Sequence, residues 1–125
     1  DRLRLLLVED HPDTVKVLSR LLLHTGYSVR TAGSVAAALQ LAEAEPFDLL
    51  VSDVRLPDAT GYELMAELRR RRPVKGIAMS GYGMESDMQK SRDAGFAEHL
   101  VKPVNFAQLQ SAIRRVTAEA EAGQG

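Results

Sequence analysis

The chain has 125 residues, 16 basic against 17 acidic side chains, a net charge of −1 and 45% apolar residues, which is the size and apolar content of one domain with one core. That balance excludes a broad basic surface for nucleic acid or anionic membrane and leaves a protein partner or small ion as the natural ligand. The absence of cysteine removes disulfides, thiolate catalysis and cysteine-ligated zinc and suits a reducing cytoplasm. No apolar stretch approaches the ~18 residues of a membrane span, and the amino end is no signal peptide.

Residues 3–8 form a nearly continuous apolar run, as expected of a strand buried on both faces. Pro12 opens a helix in which Val15, Leu18 and Leu22 make an inward stripe, and Gly26 closes it. Residues 27–31 alternate apolar with polar, the pattern of a half-exposed edge strand. Ser34 caps a second helix that carries Leu39 and Ala42 and stops at Pro46. A buried strand over residues 49–53 follows, then a helix over residues 61–71 presenting Leu64, Met65 and Leu68 before Pro73. Residues 76–80 read as a short strand, 85–94 as a helix closed by Gly95, and 99–102 as the last strand. Asn105, with Gln108 at the third position, caps a final helix whose buried face is Phe106, Leu109, Ile113 and Val116. Residues 118–125 lose the pattern and read as a tail or linker, with the domain occupying residues 1–117. The start at Asp1 rather than methionine suggests a chain cut from a longer polypeptide or processed.

Strands alternating with helices demand parallel pairing, right-handed crossovers and helices on both faces, so the fold expected is α/β and three-layered. In such a sheet, ligands bind at the carboxyl edge. Four apolar runs end there on reactive groups: the first on Glu9 and Asp10, the third on Asp53, the fourth on Ser80 and the fifth on Lys102. Acids fit to hold Mg²⁺, one acid on a central strand, a hydroxyl and a lysine make up a small phosphorylation site.

These residues, with the loop Leu56-Pro57-Asp58 leading to Gly61 and Pro103 after Lys102, resemble the receiver domain of two-component response regulators. The resemblance covers residues 3–117, in five separated positions that agree in type and order. It implies a flavodoxin-like (βα)5 doubly wound sheet with strand order 2-1-3-4-5. It also implies a domain that is phosphorylated and loses its phosphate by itself rather than an enzyme acting on an outside substrate. Asp53 would be the phosphoacceptor, taking a phosphoryl group from a phosphohistidine on a histidine kinase or phosphotransfer domain. Asp10 would bind Mg²⁺ directly, Glu9 mainly through water, with Asp53 and the main-chain carbonyl of Arg55 completing the protein's share. Lys102 would place a positive charge on a phosphoryl oxygen, with Pro103 favouring a cis peptide, and Ser80 would bond another oxygen as the switch. The switched surface would be the fourth helix, fifth strand and fifth helix, also the surface for a homodimer. Arg55 and Tyr82, two residues past the acceptor and the switch serine, would overhang the acyl phosphate and set its lifetime. Ser80-Gly81-Tyr82-Gly83 and His99-Leu100-Val101-Lys102-Pro103 are similar to receivers fused to hybrid sensor kinases.

Plainer readings stand beside these. A single Asp after a strand is commonly a helix cap or loop residue, and it is the company of Glu9, Asp10 and Lys102 that raises Asp53 above that reading. The basic run 69–72 falls in the last turn of a helix, where cations complement the dipole. His11, His24 and His99 share no metal-ligand spacing. His99 departs from the tyrosine or phenylalanine usual in receivers, so it is either a smaller, more polar switch ring sensitive to pH or a half-exposed strand residue. Ala59-Thr60 departs from the usual Met-Asp or Met-Asn. Two other functions fit an acid at a sheet edge: an aspartate-nucleophile phosphohydrolase and a degenerate receiver that only binds. The hydrolase would need a carboxylate two residues after the nucleophile, where Arg55 stands, and a cap insertion that the sequence lacks. The binding module is disfavoured by the full set of site residues.

Overall fold

A computed structural model of the chain describes residues 2–81 and 85–124. Its elements run β1 (Arg4–Val8), α1 (Pro12–Thr25), β2 (Ser28–Ala32), α2 (Val35–Ala44), β3 (Leu49–Asp53), α3 (Gly61–Arg71), β4 (Gly76–Ser80), α4 (Glu85–Ala94), β5 (Glu98–Val101) and α5 (Phe106–Gln124). All pairings in the sheet are parallel and the order is β2-β1-β3-β4-β5, as the resemblance implied. No helix among the described residues is long and apolar enough to cross a membrane.

Continuous apolar runs make sense because both sheet faces are covered. Leu5, Leu7, Leu49, Val51, Ile77 and Met79 pack with Leu18 and Leu22 of α1 and Leu109, Ile113 and Val116 of α5. The alternate residues, Leu6, Val8, Leu50 and Ala78, pack with Val35 and Ala38 of α2 and Leu64, Met65 and Leu68 of α3. Leu39 and Ala42, expected inside, are only partly buried on the flank of this second layer.

Chain punctuation works as the local chemistry requires. Gly26 ends α1 in the left-handed region at φ 112°, and the N–H of Tyr27 bonds back to Leu22 O at 3.1 Å. That bond takes Tyr27 out of the strand expected at 27–31, so β2 runs one residue later, with Ser28 N–H on Leu3 O. Ser34 Oγ accepts from Ala37 N–H, Thr60 Oγ1 from Glu63 N–H, and Asn105 and Gln108 cap each other reciprocally. β5 spans 98–101 rather than 99–102, although Lys102 N–H still bonds Ser80 O; the Lys102–Pro103 peptide is cis. α5 continues through Gln124, past the end expected near residue 117. Alternating alanine and glutamate at 118–122 are good helix formers, and propensity extends a helix without an inward stripe.

The four arginines at 69–72 are all engaged within the chain. Arg69 donates to Gly95 O, Arg70 and Arg71 pair with Glu67, Arg71 also with Glu43, and Arg72 lies 4.4 Å over the Phe47 ring.

Two local devices hold the carboxyl end of β3 in place. Asp58, far along the loop, accepts from the N–H groups of Val35 and Ala36 at 2.9 Å each, so it caps α2 from a distance. Gly61 starts α3 so close to β3 that a Cβ there would collide with the main-chain oxygen of Asp53. Replacing Gly61 by Ala should therefore cost about 2 kcal/mol in urea denaturation, as overpacking against backbone does. A loss below about 0.5 kcal/mol would show that α3 can back away freely.

Candidate functional site

Parallel register brings the strand ends level. Val8 sits beside Ser52, Asp53 beside Met79, and Ser80 beside Val101. The residues immediately after β1 and β5 and at the end of β3 therefore share one edge, and the structure brings Glu9, Asp10, Asp53 and Lys102 together there.

Glu9 is 1% exposed and Asp53 4%. Lys102 Nζ lies between them, donating to Glu9 Oε1 at 2.8 Å and Asp53 Oδ2 at 2.7 Å. Glu9 Oε2 accepts from the N–H groups of Asp10 and His11 and meets His11 Nδ1 at 3.0 Å. Arg55 N–H donates to Asp53 Oδ1 at 3.3 Å. An open cleft of about 430 Å³ spreads over this group, lined by Asp10, His11, Asp53, Arg55, Gly81 and Lys102. Glu9 is walled in beneath, while Asp53 and Asp10 face the opening.

Burial pushes both carboxyls up, with opposite net results. For Glu9, bonds from Lys102 and His11 outweigh burial and bring it down to about 2. For Asp53, burial and the neighbouring Glu9 charge outweigh Lys102, and it stands above the usual aspartate range. Burial lowers Lys102, but its bonds to Asp53 and Glu9 reverse this and leave it raised. His11 is raised by its bond to Glu9 and by the charge of Asp10.

Ligand-type atoms of Glu9, Asp10, His11 and Asp53 all lie within 4.8 Å of one another. Three carboxylates against one ammonium leave negative charge in excess, and hard carboxylate oxygens suit Mg²⁺. The donor set thus fits that ion. His11 was absent from the sequence-based site because no second histidine stands at a ligand spacing; its place directly after two acids, before Pro12, was the available clue.

Ser80 is 2% exposed, and its Oγ lies 3.0 Å from His99 Nε2. His99 Nδ1 in turn is hydrogen-bonded to Ser91 Oγ on α4. The ring is thus turned inward. Ser91 was not foreseen, since a serine within an otherwise polar helix has no periodic mark. Tyr82 lies outside the described residues.

A family model described as the response regulator receiver domain matches residues 5–114. The two-component response regulator ORR24 of Oryza sativa subsp. japonica is 35% identical over 95% of this chain, which spans 20% of that protein's length. A receiver domain protein (CheY-like) from Methanospirillum hungatei JF-1 superposes with a TM-score of 0.91 at 29% identity, covering 100% of both chains. A response regulator from Burkholderia pseudomallei, with a phosphorylated aspartic acid, calcium ion and citrate, gives 0.84 at 28% identity, covering 100% of this chain and 74% of that one.

The two carboxyls oppose each other in their effect on stability. Glu9, lowered to about 2, contributes stability that is full above its ordinary 4.5 and is lost as pH falls toward 2. Asp53 is raised, so folding prefers its protonated form and its ionised form opposes folding at neutral pH. In divalent-free buffer, Asp53→Asn should be at least as stable as the wild type at pH 7. That advantage should fade below the ordinary aspartate value of 3.8, where the wild-type acid is protonated in both states. Urea titrations at the two pH values check it, and a variant weaker by more than about 1 kcal/mol at pH 7 would show that the Lys102 pair dominates.

Proposed function

Given that the chain belongs to the response regulator receiver family, we propose that Asp53 is the phosphoacceptor of a two-component phosphorelay. A carboxylate oxygen of Asp53 attacks the phosphorus of a phosphohistidine on a histidine kinase or phosphotransfer domain; the P–N bond breaks and an acyl phosphate forms. The observation that carries this reading is the buried Asp53 carboxylate, bonded on one oxygen by Lys102 at 2.7 Å and opening on the cleft. The Burkholderia relative with its phosphorylated aspartic acid and calcium ion supports the same chemistry here.

Glu9, Asp10, Asp53 and the main-chain carbonyl of Arg55 would hold Mg²⁺, which when bound offsets charge between these acids and the incoming group. Lys102 trades its bond on Asp53 for one on a phosphoryl oxygen, and Ser80 Oγ takes another. An apolar groove of about 640 Å³ beside Lys102, lined by Val17, Leu18, Pro103 and Val104, supports a protein as donor. The surface of α4, β5 and α5 is the output face and the surface for a homodimer. The domain proper is residues 1–117, with residues 118–124 carrying α5 onward as the start of a linker; it works in the cytoplasm, touches neither nucleic acid nor membrane, and resembles receivers attached to hybrid sensor kinases. A phosphohydrolase is less well supported, because Arg55 occupies the place of its acid/base.

Acetyl phosphate with Mg²⁺ should add one labile phosphate to the chain, detectable by intact-mass spectrometry. Asp53→Asn or Asp10→Ala should reduce labelling at least about tenfold, as loss of an acceptor or an ion ligand does. Labelling of Asp53→Asn at the wild-type rate would move the acceptor elsewhere.

Arg55 lines the cleft beside Asp53 and, with Tyr82, is the candidate for holding water away from the acyl phosphate. Arginine there can also hold a phosphoryl oxygen. The double variant Arg55→Asn, Tyr82→Ala should lose its phosphate several-fold faster in single-turnover dephosphorylation at fixed pH and Mg²⁺. An unchanged or slower rate would remove both from that role.

A further inference from the structure

α4 is attached to the body of the domain in an unusual way. Its one fully buried residue is Ser91, 2% exposed, where the other helices bury leucine, isoleucine, valine or methionine. The Ser91 hydroxyl meets His99 Nδ1, and the same ring presents Nε2 to Ser80 Oγ at 3.0 Å. A continuous chain of hydrogen-bonding atoms therefore runs from the carboxyl end of β4, through an imidazole on β5, to the inner side of α4. The phosphoacceptor reading places Ser80 at a phosphoryl oxygen, and the role inferred for Ser91 rests on that reading.

A neutral imidazole has one N–H and one bare nitrogen, so the chain of hydrogen bonds has a direction. A phosphoryl oxygen only accepts. Once Ser80 donates its hydroxyl proton to that oxygen, it can meet His99 only as an acceptor, and Nε2 must carry the ring proton. Nδ1 is then bare and needs a donor. Within this chain of contacts that donor is the Ser91 hydroxyl.

We propose that Ser91 is a positioning residue of the switch: it holds the His99 ring by Nδ1, and phosphorylation polarises the chain as Ser91 O–H to Nδ1, Nε2–H to Ser80, Ser80 O–H to phosphoryl oxygen. The ring keeps its contacts with Ser80 and Ser91, and phosphorylation fixes their hydrogen-bond direction. α4 registers the change through its one buried side chain. An alanine at 91 would remove the hydroxyl that meets Nδ1, which weakens the link between α4 and Ser80 without touching the acids or Lys102.

The test is ¹⁵N NMR of the His99 ring in free and beryllofluoride-loaded protein at one fixed pH. In the loaded protein Nε2 should be protonated and Nδ1 bare. A bare Nε2, or two protonated nitrogens, overturns the proposal. In Ser91→Ala the His99 nitrogens should shift in both states and the loaded tautomer should become mixed, while the amides of Asp53 and Lys102 still report beryllofluoride binding. Ring resonances identical to wild type in that variant also overturn it. Ser91→Cys, close in size with a weaker donor, should restore part of the single-tautomer pattern, whereas a merely structural loss would leave ring and fold damaged together. Failure of the Asp53 amide to respond to beryllofluoride in the wild type would instead strike the phosphoacceptor reading, and the directional chain with it. The free-state shifts of Ser91→Ala judge the positioning role independently.

Discussion

One ammonium placed between two buried carboxylates is the interaction on which the rest of the molecule depends. Glu9 and Asp53 come from strands that pair side by side, and Lys102 comes from the far side of β4. Two carboxylates removed from water and set next to each other would open the sheet edge unless a cation stood between them. A flexible four-carbon stem is what allows a charge anchored after β5 to reach past the end of β4. The pair is not fully compensated: Glu9 is held ionised and Asp53 is pushed toward its neutral form. The imbalance leaves Asp53 as the acid with most to gain from a further positive charge or from conversion to an ester-like derivative.

Side-chain alternation explains how one edge supports two separate tasks. The parity of Leu5 and Leu7, of Leu49 and Val51, and of Leu100, carried to the end of β3 and one residue past β1 and β5, puts Glu9, Asp53 and Lys102 on the side of α1 and α5. Ser80 has the parity of Ala78, on the opposite side, where α2 and α3 pack, and its neighbour across the ladder region, His99, leads to α4. The charged chemistry and the hydroxyl–imidazole connection thus lie on different faces of the sheet. They meet only at its rim, where a group attached to Asp53 would be within reach of both.

Much of this was legible in the sequence for a clear reason. Buried parallel strands write themselves as apolar runs, and the acids, serine and lysine that follow those runs fall at one edge without any knowledge of side-chain placement. The helix ends marked by Ser34, Asn105, Gly26 and Pro12 were equally plain, because each of these residues satisfies a local backbone need. What stayed hidden depends on contacts between distant segments. Asp58 reads as a turn residue until α2 is seen above it, and Ser91 reads as surface until His99 is seen beside it. The one-residue offset of β2 arises from competition for a single N–H, that of Tyr27, between a helix cap and a strand ladder. The extension of α5 came from propensity alone, which leaves no apolar stripe to read.

Strand parity also bears on which genetic changes the chain can survive. Losing or gaining one residue inside β3 would turn Asp53 to the side of Ser80 and send Val51 and Leu50 into each other's layers. No single substitution exchanges two cores at once. The strands are therefore fixed in length although not in composition, whereas a turn such as the one at Glu45 to Phe47, remote from the carboxyl edge, can absorb an insertion. Lineages of this domain would be expected to differ in length at the amino ends of the strands and to keep the count unchanged between each strand's first residue and the group it delivers to the rim.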